Sequence, residues 1–163
     1  MRTLIRPAML TAALIMLATH VHAQRVPVLR GVKAVTVTPT LVSSPEKVKE
    51  EFAANLVEDA LRNALRSSNF EIAEDAPVKA HIALDEFSSG SGTKRILVGF
   101  GAGRSTIAGR LVFQDEKGTN LANVPLKVRG NLAWSAYQGG NTQRRQATNA
   151  FDQRLLEEIA RLK

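Results

Sequence analysis

Apolar and polar positions alternate, recur or cluster along this chain in ways that predict its elements one by one. Lys33 to Thr38 (KAVTVT) alternates and is β-branched, which predicts a first strand. Ser43-Ser44-Pro45-Glu46 then punctuates a helix start: Ser43 and Glu46 have capping-box spacing, and Pro45 suits a first turn. From there Val48, Phe52, Leu56, Ala60, Leu61, Ala64 and Leu65 form one apolar stripe, predicting a helix to about Ser67 with Glu58 and Arg62 as an i,i+4 pair. Phe70 to Ala73 reads as a short strand. Val78 to Phe87 reads as a longer one, with Val78, Ala80, Ile82 and Leu84 inward and Lys79, His81 and Asp85 towards water. Ser105 to Gln114 is a further strand with Ile107, Leu111 and Phe113 inside, and Asp115-Glu116-Lys117-Gly118 makes a hairpin turn. Leu126, Val128, Leu132 and Trp134 alternate along the last strand. Ala147, Phe151, Leu155, Ile159 and Leu162 mark a carboxyl-terminal helix that begins near Asn141 or Thr142, with Arg161 and Lys163 at its cation-favouring end. The predicted fold is α+β: a mainly antiparallel four- to six-stranded sheet with two helices packed on one face.

One stretch departs from these patterns. Ser88 to Gly109 holds six of the eleven glycines, and Gly99, Gly101 and Gly103 are spaced by two. In an extended chain all three share a face, opposite Val98, Phe100 and Ala102. A strand face without side chains implies a close backbone approach or a bulge. This segment is the candidate binding element.

The amino terminus changes the count. Met1 to Arg6 is basic, Ala8 to Ala18 is apolar and uncharged, and Val21-His22-Ala23 offers a peptidase site, so residues 1–23 read as a signal peptide cut before Gln24. The apolar run falls short of the roughly 20 residues of a spanning helix. Removing 23 of 163 residues leaves 140, expected to form one α+β domain over 24–163. Without Arg2 and Arg6 the balance is 20 basic to 15 acidic residues, a formal +5 spread along the chain. No cysteine is present, so neither a disulfide nor an amino-terminal lipid is available, and the product is expected to be periplasmic or secreted.

Catalytic equipment is sparse. His81 is the sole imidazole after residue 23, no G-x-S-x-G elbow accompanies it, and zinc lacks ligands. Asp85 and Glu86 are adjacent on a strand and so point to opposite faces. Gly99 to Gly103 spells G-x-G-x-G, which is not the dinucleotide fingerprint, and Gly92-Thr93-Lys94 is not a P-loop. Neither a cofactor nor a metal is expected, and the chain reads as a non-enzyme. Nucleic-acid binding would use Lys94, Arg95, Arg104 and Arg110, yet Phe100 is the one aromatic among them, and export removes most such partners. Ile96 to Gly103, uncharged between Lys94-Arg95 and Arg104, has the look of a membrane hairpin but is marginal in length against about 9–11 residues for a spanning strand.

Asp85-x-Phe87, then Gly90, Arg95 and Val98-Gly99-Phe100-Gly101-Ala102-Gly103, followed by an alternating strand and an acid–glycine turn, resembles a family of small bacterial cell-envelope proteins of unknown function. Many members carry a lipoprotein signal, which this chain lacks. The resemblance implies no catalytic residue. The expected role is therefore a non-enzymatic envelope protein that binds a protein partner, or itself, through strand 90–109. Lys94, Arg95, Gly99, Phe100, Gly101, Gly103, Arg104 and Arg110 are the candidate contacts. The alternative is an anionic envelope polymer or lipid headgroup held by the same basic flanks, with binding that weakens in salt.

Overall fold

The structure is a computed structural model that describes residues 27–48, 52–88, 105–130 and 140–163. Among the described residues six strands and two α-helices follow one another as β1 (Ala34–Val37), β2 (Leu41–Val42), α1 (Ala53–Ser67), β3 (Glu71–Ile72), β4 (Lys79–Ser88), β5 (Thr106–Gln114), β6 (Asn120–Arg129) and α2 (Gly140–Leu162). They form one sheet in the order β3-β1-β4-β5-β6, with β2 also pairing β4. The α+β class stands. The sheet, however, is mixed: β4, β5 and β6 pair antiparallel, whereas β1 runs parallel to both β3 and β4, and β2 runs parallel to β4. The reason is the β1–α1–β3 crossover, since a helix between two adjacent strands returns the chain in the same direction. β1, β2 and an isolated bridge from Val48 to Phe87 follow the same border of β4 in succession, as one interrupted strand.

Both helices contact each other and cover the same face of the sheet. That face carries Ala80, Ile82 and Leu84 from β4, Ile107, Leu111 and Phe113 from β5, and Val124 and Leu126 from β6. They share one core with Val57, Leu61 and Leu65 of α1 and with Phe151, Leu155 and Ile159 of α2. Each fully buried Leu or Phe there contributes about 1.5–3 kcal/mol. The predicted stripe of α2 is buried throughout, from Ala147 to Leu162. It also encloses Glu158, whose carboxylate is held by Arg154 at 2.6 Å and Arg161 at 2.8 Å.

The start of α1 differs from the sequence reading. Pro45–Lys47 is a short 3₁₀ turn without a side-chain cap, and the α-helix begins at Ala53. Phe52 lies outside the helix, 41% exposed, with its ring edge-on to Phe87 at 6.0 Å. Ala53 and Val57 take the buried places expected of Phe52 and Leu56. The predicted Glu58–Arg62 pair is present at 2.8 Å. At its other end α1 stops on Asn69, whose φ of 60° is left-handed; Asn69 N–H reaches Arg66 O and Phe70 N–H reaches Leu65 O. This is a Schellman stop with asparagine where glycine is usual. The Lys163 ammonium caps the same end, 2.7 Å from Ser68 O.

The β5–β6 hairpin forms where expected. Asp115 Oδ1 accepts from Lys117 N and Thr119 N, and Gly118 supplies a φ of 80°. The sequence-predicted strand positions Leu132 and Trp134 lie outside the described residues.

Candidate interaction surface

Of the candidate contacts, Lys94, Arg95, Gly99, Phe100, Gly101, Gly103 and Arg104 lie outside the described residues, as does the rest of the 90–104 segment. Arg110 and Gly109 lie within β5. Gly109 answers the question asked of its stretch of sequence, at its own position. A Cβ built on it would stand 2.6 Å from Ala83 O and 3.3 Å from Leu84 Cα. The close surface is β4 of the same chain, where the pairing with β5 slips between Leu84 and Glu86. A bulge of this kind bends its strand and brings the backbones together.

Arg110 sits on the sheet face away from the helices. It reaches Asp85 Oδ1 and Ser43 Oγ, each at 3.4 Å, with its side chain 46% exposed. The bulge leaves Asp85 without a register partner, free to face Arg110. A carboxylate beside this guanidinium reduces what it can offer an anionic surface.

His81 departs from expectation. It is 7% exposed on that second face and does not point to water; Ala83 and Val112, on the same face, are equally buried. Burial holds the imidazole below its usual pKa range. Asp85 lies four residues further along the strand, about 13 Å at ordinary strand rise, so the two do not form a pair. Among the described residues there is no cluster of three or more His, Asp or Glu that could hold a metal.

The borders of the sheet supply surface that sequence reasoning missed. Leu41 and Val42 of β2 are 56% and 37% exposed, and no described strand pairs with their outer side. The opposite border, β6, carries the exposed Pro125, Lys127 and Arg129. No described helix is long and apolar enough to cross a membrane.

The family profile described as Domain of unknown function (DUF4410) matches residues 20–131. The chain belongs to the DUF4410 family. Three solved structures place this DUF4410 chain among folds of known shape. The PelC dodecamer of Paraburkholderia phytofirmans is 15% identical, covers 82% of this chain and 90% of its own, and superposes with a TM-score of 0.54. A point variant of that dodecamer gives 0.55 over 82% of this chain and 87% of its own, again at 15% identity. Protein XCC0632 of Xanthomonas campestris, of family DUF330, is 12% identical and covers 78% of this chain and 81% of its own, with a TM-score of 0.51. At such identities the likeness is one of fold. None of the curated proteins matches the DUF4410 chain significantly.

Proposed function

We propose that this chain is a non-enzymatic, exported cell-envelope protein that works by binding protein, in the first place other copies of itself. The glycine-rich strand 90–109 with its basic flanks provides one contact, and the open border of the sheet at β2 provides the other. The observation that carries the reading is that border: two exposed apolar side chains on a strand whose outer side no described strand pairs. A ladder edge of that kind is a template for another chain unless it is blocked. Two different patches on each copy make a head-to-tail contact, which closes into a ring when the rotation between copies allows. The dodecameric state of the two PelC structures supports the same reading. Light scattering of the secreted form, with and without Gly101→Val, tests it. The expected result is a discrete oligomer for the parent chain and a folded monomer for the variant. A parent chain that stays monomeric at high concentration overturns the proposal.

A further inference from the structure

β1 carries a vacancy in its hydrogen-bond ladder. Thr36 N and Thr38 N donate to Val78 O and Ala80 O of β4, so the N–H and C=O of Val37 point the other way, towards the β3 side. There the pairing has already ended. Ala73 N–H makes the last bond, to Val35 O, and the chain then turns aside. Thr36 fixes that departure: its hydroxyl accepts from Ala76 N at 2.9 Å and bonds Glu74 O at 3.0 Å, pinning the loop away from the next ladder position. No described residue takes up the Val37 amide or carbonyl. Val37 is nonetheless 8% exposed. An unpaired main-chain group in so sheltered a place is uncommon in folded proteins.

The vacancy opens into a cleft of about 560 Å³, walled by Arg62 and Arg66 of α1, Val37, Ile72 and Glu74. The two arginines are one turn apart and share a helix face. They are not equivalent. Arg62 spends Nε and one terminal nitrogen on Glu58 Oε1. Arg66 is exposed, and its guanidinium makes no ion pair or hydrogen bond with the described residues. The Schellman stop at Asn69 turns the chain straight from Arg66 into β3, so that Arg66 lines the same cleft as Val37.

The geometry points to a binding site for the carboxyl-terminal end of an extended peptide. One free guanidinium fork matches a planar monoanionic carboxylate, and Glu74 on the rim opposes a more highly charged phosphate. The Val37 N–H is a second donor for the same carboxylate. The Val37 carbonyl accepts the peptide's last amide, a donor that continues the ladder as an added strand does. Ile72 offers the terminal side chain an apolar wall. No lining residue of this site belongs to the 90–109 segment, and the site does not depend on the self-association proposed above.

Amide-resolved NMR titration of the full chain tests the site, with acetyl-Ala-Val-Ala as the probe. The free acid is expected to shift the Thr36 and Val37 amides saturably. Its carboxamide and the Arg66→Gln variant should each weaken binding at least about tenfold, the usual consequence of losing a charge-assisted hydrogen bond. Arg66 is exposed, so the variant should keep the parent's unfolding temperature. Equal binding of acid and carboxamide overturns the carboxylate assignment. Glucuronate binding as tightly as the peptide overturns the ladder contact, and a titration that leaves Val37 unmoved overturns the site itself.

Discussion

Along one border of the sheet, β6 runs for ten residues with Pro125, Lys127 and Arg129 exposed in it; along the other, β3 and β2 are two residues each, and β2 presents Leu41 and Val42. Proline withholds a donor and lysine resists burial, so the first border is protected against pairing with another strand. Within β3 and β2 neither residue type occurs, and Pro39 and Pro45 stand outside β2 on either side. The difference teaches that the strands easiest to read in the sequence are the guarded ones, while the surface available to partners is made of short strands. β4 and β5 lie between the two borders and hold both in place.

The largest expected effect breaks that shared middle. Gly109→Val would drive a branched side chain into Ala83 O and Leu84 Cα, and overpacking of this kind costs about 1–3 kcal/mol or more. Denaturant unfolding of the purified variant should show a clearly lowered midpoint. An unchanged midpoint would mean that the slip between Leu84 and Glu86 does not need a glycine opposite it.

The second experiment sharpens the contrast between the borders. Val42→Lys puts a charge on the open one, and an exposed site of this sort should change stability by no more than about 0.5 kcal/mol. Association measured by light scattering should nevertheless be lost. The same charge at Asn123 of the guarded border should leave association as it was. If both variants associate like the parent, the two borders do not differ in function.

The smallest effect concerns the face between them. His81 has a folded pKa below its ordinary 6.5 because burial disfavours the imidazolium. Between those two values the unfolded chain binds the proton first, so stability is fully present above about pH 6.5 and declines as pH falls. Unfolding temperatures measured from pH 7.5 down to 5.5 should drop for the parent and drop less for His81→Val. Parallel curves would place the titrating group elsewhere.

Much of this was legible in the sequence because it is local. α2 follows from its stripe, the hairpin from Asp115 and Gly118, and the Glu58–Arg62 pair from spacing alone. The start of α1 was misread because Phe52 fits the helical period but packs on Phe87, a contact made by tertiary structure. The parallel pairing of β1 and β2 with β4 joins residues more than forty positions apart in two- and four-residue strands, which leave little periodicity to read. Alternation assigns His81 to water, yet it is buried together with Ala83 and Val112 on the second face. The cleft was not read from the sequence: Arg62 and Arg66 share a helix face by spacing, but nothing in the order of residues shows that the ladder stops at Val35.

The contact at Gly109 also ties two distant positions into a single inheritance. A relative with any side chain at 109 cannot keep the fourth strand's extra residue at Asp85, because the displaced main chain occupies the room a Cβ needs. Sequences sharing this fold should therefore change the two places in step, and the loss of one should be readable from the loss of the other.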